Sequence, residues 1–137
     1  VQAFPQLSIA LNGGVESLEA AEGALALGVD GVMIGRAAYH RPFDILETAD
    51  QRFYGATRPS VTRAEVLDAM EPYIARHLDA GGSLHQITRH VLGLYAGVPG
   101  ARAWRRILSE GATRPGAGLA LLRQARGAVE AEAARAA

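Results

Sequence analysis

Two short glycine turns carry the clearest chemistry in this chain. An apolar run, Leu7-Ser8-Ile9-Ala10-Leu11, ends at Asn12-Gly13-Gly14, and a second, Val32-Met33-Ile34, ends at Gly35-Arg36. Glycine at 13, 14 and 35 removes the Cβ that would hold a ligand oxygen away from backbone N–H groups. A guanidinium beside such amides adds a charge-assisted, two-pronged contact. Phosphate fits that set of groups. Asn12 reads in two ways: it touches the same ligand, or its amide satisfies the backbone of the turn. Taken singly, Gly-Gly after a strand reads as a plain turn and Arg36 as a surface residue. Their recurrence at two successive strand ends is what points to an anion.

A second group lies far along the chain. Arg102, Arg105 and Arg106 stand three and four residues apart in GARAWRR, which puts all three within one arc of a helix. Arg89, His85, His90 and Arg114 add basic character, against Glu110 as the single acid between residues 83 and 114. Such a stretch is an electrostatic footprint for a polyanion. It reads equally as a solvated face laced with Arg–Glu pairs. Trp104 falls on another side of the same helix and is expected in the core. His40, His85 and His90 lack metal-ligand spacing, so no metal site is expected. His77 is expected to be partly buried, and Asp30 to cap or orient the second strand.

These groups need elements to position them. Ser17 before Leu18-Glu19-Ala20-Ala21 reads as a helix N-cap, with Ala20 in place of the acid that would complete a capping box. Gly28 stops that helix, and Val29-Asp30-Gly31 leads to the second strand. The order strand, helix, strand makes a βαβ unit, which brings both strand C-termini to one sheet edge. A further helix starts at Arg36, Pro42 interrupts it, and Phe43 to Phe53 reads as one more helical stretch. Beyond GATRPS (55–60) every segment reads as helix. Thr62-Arg63-Ala64-Glu65 is a capping box opening a helix to about Asp79, with an apolar stripe at Val66, Ala69/Met70, Tyr73/Ile74 and His77/Leu78. Ser83 caps the next, with Leu84, Ile87, Val91 and Leu94 on one face. Ala101–Ser109 and Leu119–Ala134 follow.

Composition bounds the class. Apolar residues are 49% and charged residues 20% of the chain, which suits a packed globular protein, and there is no cysteine to serve as nucleophile, metal ligand or disulfide. No apolar run nears the roughly 20 residues that cross a bilayer. The opening VQAFPQ has no signal-peptide pattern, so a cytoplasmic protein is expected. The chain does not begin with Met, and a piece of something longer is expected. Residues 1–59 hold four Arg against seven Asp/Glu, and residues 60–137 ten Arg against seven, so the second part is the basic one. Two strands are too few for a parallel sheet covered on both faces. The expectation is α/β: residues 1–58 as the last two βα units of a (β/α)₈ TIM barrel, incomplete here. Residues 59–137 are expected to be an all-α helical bundle domain. In such barrels a ligand phosphate often sits on the loops after strands 7 and 8.

The stretches ALNGGVESLEAA and GVDGVMIGRAAYHRP, followed at this distance by ITRHVLGLYAGVPGARAWRRILSE, resemble the C-terminal portion of the tRNA-dihydrouridine synthases, A-type branch. The resemblance implies an FMN-dependent barrel enzyme, recharged by NADPH, that reduces uridine to 5,6-dihydrouridine in the D-loop of tRNA. It implies that Asn12, Gly13 and Gly14 form one FMN-contacting turn and Gly35 and Arg36 the other. It implies that the helical domain holds tRNA, with Arg102 and Arg105 at positions that set its orientation. The family's general acid is a cysteine from the middle of the barrel, which this chain lacks. The missing N-terminal part of the barrel is therefore an expected partner, and the segment alone is expected to be inactive. Two other functions fit the residues less well: a fragment of an FMN barrel oxidoreductase acting on a small molecule, and a non-enzymatic RNA-binding helical module.

Overall fold

The computed structural model describes residues 4–136. They form two compact units that divide between Ser60 and Val61. In the first, β1 (Ala10–Asn12) pairs in parallel with β2 (Gly31–Met33), joined by α1 (Leu18–Ala26). The register sets Ala10 opposite Gly31 and Asn12 opposite Met33. Both strands therefore end at the same edge, with Gly13-Gly14 following one and Ile34-Gly35 the other.

Asp30 sets this pairing. Its carboxylate accepts from the Ile9 N–H at 2.8 Å, and its own N–H donates to the Ile9 carbonyl at 2.9 Å. The strand lead-ins are thus tied before the ladder begins, which is the orienting role expected of Asp30. Ser17 caps α1 by accepting from the Ala20 N–H at 3.1 Å. Leu27 ends the helix, and Gly28, at φ +90, makes the turn toward β2.

Three short helices follow: α2 (Arg36–His40), α3 (Pro42–Leu46) and α4 (Ala49–Tyr54). The single helical stretch expected over Phe43–Phe53 is two, broken where Glu47 closes α3 and Thr48 opens α4. The core of this unit gathers Leu18, Ala37 and Ile45, with Ile34, Ala38, Ala49 and Phe53 packed against it. Arg52 clamps α4 to α1: its guanidinium meets Glu22 at 2.7 and 2.8 Å and also pairs with Glu19. Those hydrogen bonds hold both carboxylates below the usual range.

The first strand was expected buried over Leu7–Leu11; it runs Ala10–Asn12, and all three of its residues are exposed. Leu7, Leu11 and Met33 stay 40–54% exposed because one partner strand and no covering layer flank them among the described residues.

The second unit is all helical: α5 (Arg63–Asp79), α6 (Leu84–Thr88), α7 (Ala101–Gly111) and α8 (Leu119–Ala136). Thr62 and Glu65 form the expected capping box, Thr62 Oγ1 accepting from the Glu65 N–H and Glu65 Oε2 from the Thr62 N–H. Of the stripe expected on α5, Ile74 is buried as expected and Tyr73 is not, while Leu67, outside that stripe, is buried and Val66 only half-buried. Seven residues are nearly two full turns, so Leu67 and Ile74 share one face. Tyr73, about 100° away, is 53% exposed.

The helix expected from Leu84 to Leu94 stops at Thr88. Thr88 Oγ1 donates back to the Leu84 carbonyl at 3.2 Å, and the following bonds tighten to three-residue turns, His90 to Ile87, Val91 to Thr88 and Leu94 to Val91. Leu84, Ile87 and Leu94 are buried nonetheless. Helix α8 packs against the start of α7: a Cβ on Gly100 would come within 2.7 Å of the Val129 Cα. Ion pairs tie α8 to α5, Arg123 to Glu71 at 2.6 Å and Arg126 to Asp68 at 2.5 Å.

Candidate functional site

The parallel register delivers the two glycine turns to one place. Asn12, Gly13, Gly14, Gly35 and Arg36 line a single cavity of about 220 Å³, together with Val15, Glu16, Met33 and Ala37. All five residues singled out from the sequence are therefore brought together.

Their roles differ in kind. Gly13 and Gly14 sit at φ +111 and +72, where a side chain is strained, so the turn itself requires them. Gly35 sits at φ −95, and a Cβ there would meet the Met33 side chain at an ordinary 3.4–3.6 Å. Among the described residues no close approach demands glycine at 35, and its missing side chain leaves room in the cavity. The N–H groups of Gly14 and Arg36 donate to no backbone carbonyl among the described residues. Arg36 is exposed and makes no ion pair among the described residues. The arrangement offers backbone donors, space and one unspent guanidinium, which is what a phosphate oxyanion needs.

Sequence reasoning missed Glu16. It precedes the Ser17 cap of α1 and lines the cavity. Its position directly between the glycine turn and the Ser17 cap was the available signal.

In the second unit the arginines of α7 stand apart from the rest. Trp104, fully buried, donates its indole N–H to the Val91 carbonyl at 3.1 Å and packs on Tyr95 at a ring separation of 4.9 Å. Leu108 and Gly111 are buried on the same side. Arg102, Arg105 and Arg106 are all exposed, and none has an ion-pair partner among the described residues. The Arg–Glu pairing that would explain them as a solvated face is absent there. Carboxylates of this unit serve Arg123 and Arg126 instead.

The histidines are spread out. His77, half-buried, bonds the Gln86 side chain at 2.9 Å and the Ser83 carbonyl at 3.2 Å. His40 meets the Tyr39 ring edge-on, and His90 lies 2.9 Å from the Arg89 side chain. Among the described residues no group of His, Asp and Glu is placed to hold a metal, and no helix is long and apolar enough to cross a membrane.

Residues 1–131 match the family described as Dihydrouridine synthase (Dus). This chain belongs to the dihydrouridine synthase family. Several relatives carry the name tRNA-dihydrouridine(20/20a) synthase. One from Shewanella oneidensis is 47% identical over 94% of this chain and 38% of its own length. One from Vibrio cholerae is 51% identical over 89% of this chain and 37% of its own length. One from Salmonella typhimurium is 49% identical over 89% and 36%. The chain thus spans a little over a third of the dihydrouridine synthases it matches.

Proposed function

We propose that this chain is the C-terminal part of an FMN-dependent tRNA-dihydrouridine synthase. In this reading residues 1–58 are the last two βα units of its TIM barrel, and residues 59–137 are its tRNA-gripping domain. When bound, FMN recharged by NADPH would supply the hydride for reducing the C5–C6 bond of a D-loop uridine. The residues of this chain bind and orient. Gly13, Gly14 and Gly35 would let the flavin phosphate approach the backbone, the Gly14 and Arg36 N–H groups and the Arg36 guanidinium would hold it, and Asn12 lines the same cavity. Arg102, Arg105 and Arg106 hold RNA phosphates.

The observation that carries the reading is the convergence of both glycine turns and Arg36 on one cavity. FMN fits it: the cavity is larger than one phosphate, and Gly35 leaves an open wall that the chain's own packing does not require. With no cysteine in its sequence, the chain relies on the remainder of the barrel for the proton donor. The segment alone is inactive.

Disruption of the encoding gene tests this. Dihydrouridine in cellular tRNA, read by mass spectrometry, is expected to fall, to return with the full-length enzyme, and not to return with this segment alone. Unchanged dihydrouridine in the disrupted strain, where no other synthase covers the same uridines, contradicts the proposal.

A further inference from the structure

Glu16 is the one acid in a cavity otherwise built for an anion. It is exposed, it lines the cavity with Arg36, and neither residue has an ion-pair partner among the described residues, so the two do not neutralise each other. A carboxylate there disfavours a second negative group close by. It is at the same time a strong acceptor for a neutral hydroxyl, and such bonds to a charged group are the stronger kind. The cavity, about 220 Å³, equals the liquid volume of about seven waters, more than one phosphate fills. A ligand that satisfies both ends carries a phosphate for Arg36 and hydroxyls for Glu16.

We infer that Glu16 is a specificity-determining residue that accepts a hydrogen bond from a hydroxyl of the ligand's polyol chain. The cavity then selects the phosphate monoester of a polyol rather than a bare phosphate or a pyrophosphate. This rests on the FMN reading above, in which the polyol is the ribityl chain.

The test is flavin binding to the full-length enzyme, comparing FMN with riboflavin, which has the same ribityl chain and no phosphate. Glu16→Ala is expected to weaken both ligands by a similar factor, about tenfold, leaving their ratio unchanged. Glu16→Gln keeps an acceptor oxygen and is expected to recover most of the affinity. Arg36→Ala is expected to weaken FMN and leave riboflavin nearly unchanged. If Arg36→Ala weakens neither ligand, or both equally, the phosphate reading fails. If Arg36→Ala behaves as stated but Glu16→Ala changes neither ligand, weakens FMN alone or tightens FMN, the role given to Glu16 is wrong.

Discussion

The indole N–H of Trp104 donates to the carbonyl of Val91 at 3.1 Å, across thirteen residues of chain. That bond joins α7 to the turns that follow α6, and it fixes how α7 is rolled. With Trp104 and Leu108 turned into the core, Arg102, Arg105 and Arg106 are left exposed. Trp104→Phe keeps the aromatic contact with Tyr95 and removes one of two donors to the Val91 carbonyl, which keeps the Leu94 N–H. A loss of about 0.5–1.5 kcal/mol in a urea titration is expected from that bond.

Gly35→Ala separates ligand space from backbone need. Its Cβ would meet Met33 at 3.4–3.6 Å, a normal contact, so stability should stay within about 0.5 kcal/mol of wild type. FMN affinity of the full-length enzyme should fall, because the methyl adds bulk at a residue that lines the cavity. Gly14→Ala, at φ +72, should lower both, with a backbone cost of about 1 kcal/mol or more. Equal effects of the two variants on stability would argue against this division.

Gly100 is constrained twice, by φ +85 and by the Val129 backbone 2.7 Å from where a Cβ would stand. Backbone cannot move aside as a side-chain tip can. Gly100→Ala should cost about 2 kcal/mol or more in thermal or urea unfolding. A neutral result would mean that α7 and α8 do not cross this closely.

Acid should weaken the second unit through Glu71. Arg123 donates to both oxygens of Glu71, at 2.9 and 2.6 Å, and holds its carboxyl below the ordinary value of 4.5. A folded-state value below the unfolded one gives stability that is present above pH 4.5 and is lost as pH falls through the folded value. The urea midpoint should therefore drop on acidification below that point, and less steeply in Arg123→Ala. An identical pH profile for wild type and variant would remove Glu71 from the explanation.

If α7 grips RNA, filter binding of tRNA across a salt series should show a steep slope. Each of Arg102→Ala, Arg105→Ala and Arg106→Ala should reduce that slope by about 1. No tRNA affinity at low salt would sink the assignment.

Much of this was legible where a local rule decides the outcome. Thr62 with Glu65 announced the start of α5 because a capping box is a four-residue event. Gly13 and Gly14 announced a turn because their φ values suit glycine. Other features depend on distant partners. Thr88 bonds back to Leu84 and ends α6 early, though Leu94 stays buried on looser turns. The choice of Leu67 over Val66 as the buried residue of α5 turns on where the neighbouring helices lie. Glu16 joins the site only because the register of β1 and β2 sets the two turns side by side, which no local rule shows.

The central claim is that Arg36 and the two glycine turns hold the phosphate of FMN. Its most direct test is the equilibrium dissociation constant of FMN, read by flavin fluorescence, for the full-length enzyme and its Arg36→Ala variant. Loss of one charge-assisted contact predicts a weakening of about tenfold or more with the fold intact. An unchanged FMN dissociation constant in a folded Arg36→Ala enzyme would contradict the account.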